Sequence, residues 1–155
     1  MSSLSSMELA VALARRQRDK ASQDWVSARE ALQFAQSQAQ QLQSYAKDTE
    51  SRWISQSSRM SSPALMHHYQ QFMEKLHQAL DMQREVLVLA QQRVDTRQQL
   101  LTQAEFTLAS RESVLTQMQA AQRRRAEQIN QKAQDELAAA QYRRSQQWAE
   151  RGGES

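Results

Sequence analysis

The chain has 155 residues, a net charge of +3 and no cysteine, and hydrophobic residues make up 39% of it. This hydrophobic share is below the roughly 45–50% of globular domains, and the missing cysteines exclude disulfides and thiolate metal sites. From residue 1 to residue 151 there is no glycine and only one proline, Pro63. Because glycine and proline are the strongest breakers of regular structure, we expect one long helix, or two helices that meet near Pro63. The regular spacing of the apolar residues argues against full disorder.

An apolar stripe with heptad spacing runs along the first part of the chain and predicts a helix from about residue 4 to residue 57. A stripe of about seven repeats is typical of a coiled coil, and its many alanines allow a partner helix to come close. All of its fourteen positions except Arg18 and Thr49 are apolar. They are Met7, Val11, Ala14, Arg18, Ala21, Trp25, Ala28, Leu32, Ala35, Ala39, Leu42, Ala46, Thr49 and Trp53.

A serine-rich segment interrupts the stripe, with six serines between residues 51 and 62 and then Pro63. Serine side chains compete for the backbone and favour turns and caps. Pro63 fits the first turn of a new helix, with Ser62 as its N-cap. We therefore place a bend at about residues 57–63.

A second stripe follows Pro63 and predicts a helix from about residue 63 to residue 149, with a tail at 150–155 after Gly152-Gly153. After Met118 the stripe continues more weakly as Ala126, Ile129, Ala133, Leu137 and Ala140. Its main positions are Met66, Tyr69, Met73, Leu76, Leu80, Gln83, Leu87, Ala90, Val94, Arg97, Leu101, Ala104, Leu108, Arg111, Leu115 and Met118.

These elements predict an all-α fold: a long antiparallel two-helix coiled-coil hairpin with unequal arms and a C-terminal helical overhang, in a single domain over residues 1–155. At 1.5 Å per residue the arms measure roughly 80 Å and 125–130 Å. A short bend makes neighbouring helices antiparallel, so that residue i faces about residue 120 − i. The residues from about Gln119 onward then have no intramolecular partner, and their stripe predicts a partner from another protein.

Basic residues form two groups that an antiparallel hairpin is expected to bring together. Arg15, Arg16, Arg18 and Lys20 lie in the first helix, and Arg123, Arg124, Arg125 and Lys132 lie in the second. A solvated helix face is the ordinary explanation for any one of these residues. Three consecutive arginines surround the helix with charge, which favours insertion into a ring or groove. The acids Glu127, Asp135 and Glu136 argue against a nucleic-acid stripe.

A wider apolar surface is formed by Phe72, Leu76, Ala79 and Gln83, at i, i+4, i+7 and i+11. Phe72 and Ala79 lie off the second stripe, whereas Leu76 and Gln83 lie on it. The series is either a wide helix–helix interface near the bend or an exposed docking patch for another protein.

No catalytic, metal or cofactor site is visible in the sequence, so we expect a protein that is not an enzyme. His67, His68 and His77 lack the i, i+4 spacing that places two imidazoles on one helix face. No signal peptide pattern is present, and the longest apolar cluster, residues 86–90, is far shorter than the about 20 residues of a membrane span. We expect a soluble, cytoplasmic protein.

Four ordered motifs resemble the FliJ family of the bacterial flagellar type III export apparatus. An early Ala14-Arg15-Arg16-Gln17-Arg18-Asp19-x-Ala21 is similar to the family's N-terminal segment, and Leu42-x-x-Tyr45 precedes the bend. After the bend come Tyr69-x-x-Phe72-x-x-x-Leu76-x-x-Ala79-x-x-x-Gln83 and Gln131-Lys132-x-x-Asp135-Glu136-Leu137-Ala138. The resemblance covers roughly residues 4–145.

This resemblance implies a coiled-coil stalk that inserts into the hexameric export ATPase FliI, promotes ring assembly, contacts the export gate protein FlhA and binds export chaperones. It implies a location at the flagellar base, peripheral to the inner membrane. The gate-binding residues are then Phe72, Leu76, Ala79 and Gln83. The ATPase-ring residues are Arg15, Arg16, Arg18, Arg123, Arg124, Arg125, Lys132, Asp135 and Glu136. The alternatives are an equivalent stalk of an injectisome secretion system, or a generic coiled-coil adaptor.

Overall fold

A computed structural model describes residues 2–56 and 62–152. It contains two α-helices, α1 (Ser3–Gln56) and α2 (Pro63–Gly152), and no strand within those residues. This confirms the predicted all-α fold with two helices packed against each other. Helix α2 extends beyond residue 149 to Gly152. The predicted bend at residues 57–63 lies mostly outside the described residues.

Local hydrogen bonds explain where both helices begin. At the start of α1, the Ser2 hydroxyl accepts a hydrogen bond of 3.2 Å from the Ser5 amide. At the start of α2, the Ser62 carbonyl accepts a 3.2 Å bond from the Met66 amide, with Pro63 as the first helical residue. Proline suits this position because its missing N–H has no intrahelical acceptor to lose.

The predicted stripes form the buried interface between α1 and α2, which we call the seam. All fourteen positions of the first stripe are buried or half-buried. Of the sixteen main positions of the second stripe, fifteen are buried or half-buried, and only Met66 is exposed. The most buried residues are Val11, Ala14, Ala28, Ala35, Leu76, Leu80, Val94 and Leu108. Three of these eight residues are alanines in α1, so the helices approach closely and the core is thin.

The contacts between residues divide the chain into two compact units, and the larger one consists of Arg15–Thr107. Four contacts fix the register of the helices in this unit. Asp24 pairs with Arg97 at 3.7 Å, and the Gln83 amide donates to the Ala35 carbonyl at 3.0 Å. Tyr45 meets Phe72 edge to face at 6.2 Å, and Trp53 stacks on Tyr69 at 4.1 Å between ring centres. The residue numbers rise in α1 as they fall in α2, so the helices are antiparallel here.

The second unit consists of Met1–Ala14 and Leu108–Ser155. Its core is formed by Val11, Ala14 and Leu108, with Leu115 packed against them. The Arg111 guanidinium donates to the Ala10 carbonyl at 3.1 Å, which continues the antiparallel pairing. Every residue from 121 to 139 is exposed. We call residues 121–152 of α2 the overhang.

Candidate protein-binding surfaces

The apolar stripe of the overhang is exposed from Ala126 to Leu137. The start of α1, from Ser2 to Leu4, lines a groove of about 320 Å³ together with α2 residues between Met118 and Arg125. Farther along α2, Ile129 and Leu137 are 68% and 63% exposed, although both continue the stripe that is buried earlier in the helix. An exposed helix face with this apolar spacing is a candidate docking surface for another helix or an apolar sleeve.

Charged residues surround this stripe. Arg123, Arg124 and Arg125 are all exposed, and so are Lys132, Asp135 and Glu136. Because consecutive residues lie about 100° apart, the three arginines point to different sides of the helix. The six expected ATPase-ring residues of α2 thus lie together on the overhang, in one accessible segment.

The other expected ATPase-ring residues belong to the unit formed by Arg15–Thr107. The Arg18 guanidinium donates to the neighbouring Asp19 carboxylate at 2.7 Å, and Arg18 is half-buried along the seam. Arg15 and Arg16 are exposed. The contacts therefore assign the two basic groups to different units.

The four residues expected to bind the export gate have different surroundings. Leu76 is only 7% exposed and lies in the seam. Gln83 is partly buried because its amide reaches the Ala35 carbonyl across the seam. Ala79 is half-buried, whereas Phe72 is exposed and contacts Tyr45. Phe72 and Ala79 thus present the accessible edge of the series, and Leu76 and Gln83 support it from the seam.

Aromatic residues pack in the seam where Trp53 of α1 meets Tyr69 of α2. The flat stacking of Trp53 on Tyr69 covers the phenol, and this burial raises the pKa of Tyr69, with the nearby negative charge of Glu50 acting in the same direction. Trp25 also lies in the seam, with the Arg29 guanidinium 4.7 Å from its ring centre. Trp148, by contrast, is 79% exposed on the overhang. The heptad pattern places Trp25 and Trp53 in the seam but does not predict the partner of either ring.

Within the described residues, no group of histidine, aspartate and glutamate side chains is arranged to hold a metal ion. Neither α1 nor α2 has, in the residues searched, an apolar window long enough to cross a bilayer. The described residues present helix faces, and in general such faces recognise other proteins by apolar anchors and flanking charge.

The sequence of the chain matches the profile of one known protein family. The profile of the family described as "Flagellar FliJ protein" matches residues 4–147. No curated protein and no solved structure matches the chain. The family match spans both helices, including the seam and most of the overhang. The chain therefore belongs to the FliJ family, whose members are components of the flagellar type III export apparatus.

Proposed function

We propose that this protein is a non-enzymatic stalk and regulator of the flagellar export ATPase FliI, and that it couples the ATPase ring to the export gate protein FlhA. The observation that carries the proposal is the overhang. Its apolar stripe is exposed over residues 121–139, and its three arginines lie beside that stripe. A helix with these properties fits a sleeve that offers apolar contacts and acidic groups.

The overhang is the part that we assign to the ATPase ring. An exposed leucine or isoleucine contributes binding energy when a partner removes its side chain from water. Full burial of one such side chain contributes roughly 1.5–3 kcal/mol. The arginines add long-range attraction to acidic surfaces, which raises association rates more than final affinity. Lys132, Asp135 and Glu136 complete the proposed contact, and Arg15, Arg16 and Arg18 stay candidates for a further contact.

The second proposed surface is the edge formed by Phe72 and Ala79, which we assign to FlhA. Phe72 supports this assignment because an exposed aromatic ring held by a neighbouring ring is preorganised for binding. Leu76 and Gln83 act here by holding α2 against α1. Export chaperones complete the set of proposed partners, and we propose that the protein works in the cytoplasm, at the membrane-proximal base of the flagellum.

The proposal is tested by measuring ring formation and ATP hydrolysis of purified cognate FliI with and without this protein. We expect the full chain to increase both ring formation and ATP hydrolysis, with a response that saturates as the chain concentration rises. The increase follows from the proposed role because a stalk bound at the centre of the ring contacts several subunits at once. An unchanged ATPase rate and an unchanged ring population at saturating protein contradict the proposal.

A further inference from the structure

A second apolar line runs along α2 beside the seam in the unit Arg15–Thr107. It consists of Ala79, Met82, Val86 and Leu89, whose spacing of three and four residues places them on one helix face. Met82, Val86 and Leu89 are 68%, 46% and 64% exposed. The same spacing continues to Lys75 before the line and to Arg93 after it, and both are exposed. The line is thus an apolar segment with a positive charge at each end.

Helix α1 carries a matching line on the same side of this unit. It consists of Phe34, Gln38, Gln41 and Tyr45, again three or four residues apart. Tyr45 contacts Phe72, which lies seven residues before Ala79 and therefore on the α2 line. Gln38, Gln41 and Tyr45 also line a groove of about 330 Å³ that reaches Gln83.

The ends of the α1 line are acidic. Glu30 lies four residues before Phe34, and Asp48 lies three residues after Tyr45. Both are exposed, and so are the two basic residues at the ends of the α2 line. We call the two lines together, from 30 to 48 and from 72 to 93, the lateral face. On the lateral face, the α2 line has a basic residue at each end and the α1 line has an acidic residue at each end.

We propose that the lateral face binds a second copy of this chain. In this dimer, a two-fold axis runs parallel to the helices of the unit, so that α2 of each copy packs on α1 of the other. Each neighbouring pair of helices is then antiparallel, as in an antiparallel four-helix bundle. This inference stands apart from the proposed role at the ATPase.

The internal register shows which residues meet across the dimer. Within the chain, contacting residue numbers add up to about 120, as for Asp24 with Arg97 and Ala35 with Gln83. A two-fold axis parallel to the helices preserves this relation between copies. It places Val86 opposite the second copy's Phe34, Met82 opposite its Gln38 and Ala79 opposite its Gln41.

The charged ends match in the same register. Lys75 comes within about one helical turn of the second copy's Asp48, and Arg93 comes equally near its Glu30. The symmetry repeats both pairs, so four opposite-charge pairs frame the apolar contacts. Long side chains such as lysine and arginine span an offset of this size.

Charge also disfavours the other face-to-face arrangement of two copies. If α2 packed antiparallel on α2 through its apolar line, Lys75 would face Arg93 and like charges would meet at both ends. The α1 lines would then place Glu30 opposite Leu42 and about 9 Å along the helix axis from Asp48, so the repulsion comes mainly from the basic ends of the α2 line. Electrostatic complementarity of this kind selects one register among several that bury similar area.

The proposed dimer is a weak and reversible one, because half of its contact is made by glutamine and exposed polar groups. It covers Phe72 and Ala79. Self-association and docking of a partner on that edge therefore exclude each other, so the free concentration of the protein regulates access to the edge.

Thiol crosslinking tests the face directly, since the native chain has no cysteine. Two full-length variants, Met82→Cys and Gln38→Cys, are mixed and treated with a short bis-maleimide. We expect a crosslinked heterodimer. The control mixture combines Val88→Cys with Gln36→Cys, two positions that line a different groove. Equal yields in the two mixtures, or no dimer in either, overturn the proposal.

A charge exchange gives the second test, by sedimentation at concentrations up to about 1 mM. One variant carries Lys75→Glu with Arg93→Glu, and the other carries Glu30→Lys with Asp48→Lys. Each alone is expected to dimerise at least about fourfold more weakly than the native chain, because four exposed ion pairs are lost. Mixed together, the two variants restore all four pairs and should form a heterodimer. A monomeric native chain at the highest concentration, or no recovery on mixing, contradicts the inference.

Discussion

At the scale of single residues, polar side chains at stripe positions hold the helices in register. Gln83 and Arg111 both occupy positions where a heptad pattern expects apolar residues. Each reaches across the seam to a backbone carbonyl of α1, at 3.0 Å and 3.1 Å. The acceptors belong to Ala35 and Ala10, whose small side chains leave the carbonyl oxygen accessible. Alanine in one helix thus allows a polar anchor in the other.

Gln83→Ala should lower the free energy of unfolding by about 0.5–1.5 kcal/mol, the usual net worth of one hydrogen bond. Urea denaturation followed by circular dichroism measures this change. Gln91→Ala is the matched control, since Gln91 is exposed and its amide donates to Asp95 on its own helix rather than across the seam. Equal destabilisation by the two substitutions would show that the bond across the seam adds nothing.

Phe72 and Leu76 separate binding from folding on the proposed gate surface. Phe72→Ala should weaken binding to FlhA and leave most of the helical signal intact, because Phe72 is 41% exposed. Leu76→Ala should lower the free energy of unfolding by about 2–5 kcal/mol, because it empties a buried position. Calorimetric titration and thermal melts measure the two effects. If the Phe72→Ala variant bound FlhA with native affinity, Phe72 would not belong to the gate surface.

At the scale of elements, α2 continues as a helix beyond the residues that pair with α1. Most helical stability in proteins comes from packing of an apolar face. The paired part of α2 has that support from Leu108 and Leu115, but the exposed residues 121–139 do not. The overhang therefore lacks the stabilisation that packing against α1 provides, and its apolar face stays accessible to a partner.

The same leucine-to-alanine substitution should destabilise the protein strongly in the paired part of α2 and only slightly in the overhang. Leu108→Ala removes a residue that is 6% exposed and should cost about 2–5 kcal/mol of stability. Leu137→Ala removes a residue that is 63% exposed and should change stability by less than about 0.5 kcal/mol. The same Leu137→Ala variant should need a higher concentration to stimulate FliI. A large loss of stability at Leu137 would mean that the stripe of the overhang is already buried.

Heptad spacing predicts much of this structure because it reports which side of a helix is apolar. Both stripes lie in the seam, the helices pair at the expected register, and residues 121–139 are exposed as expected. The same spacing says nothing about the direction of a polar side chain, so the bonds made by Gln83 and Arg111 could not be foreseen. Met66 is exposed although it fits the stripe, because it lies only three residues from the start of α2. The line from Ala79 to Leu89 is regular too, but the stronger neighbouring stripe conceals it in the sequence.

At the scale of the whole molecule, the two units carry different proposed binding surfaces. The unit that contains the overhang offers a basic, apolar helix, which we assign to FliI. The unit Arg15–Thr107 offers the Phe72 edge and the lateral face, which we assign to FlhA and to a second copy. Both helices contribute residues to both units, so each proposed surface is built from the same two helices.

The central claim is that the overhang binds the ATPase ring, and the most direct test compares two triple variants in the FliI assay. One variant changes Arg123, Arg124 and Arg125 to glutamine. The control changes Lys47, Arg52 and Arg84, three exposed basic residues of the other unit, to glutamine. The two variants carry the same net charge, so that a general electrostatic effect is the same in both.

We predict that the overhang variant raises the concentration for half-maximal stimulation of ATP hydrolysis by about 3- to 150-fold, as expected for three exposed ion pairs. The control variant should respond as the native chain does, and circular dichroism should show both variants as helical as the native protein. Native stimulation by the overhang variant, or an equal loss in both variants, would contradict the assignment of the ring-binding surface to the overhang.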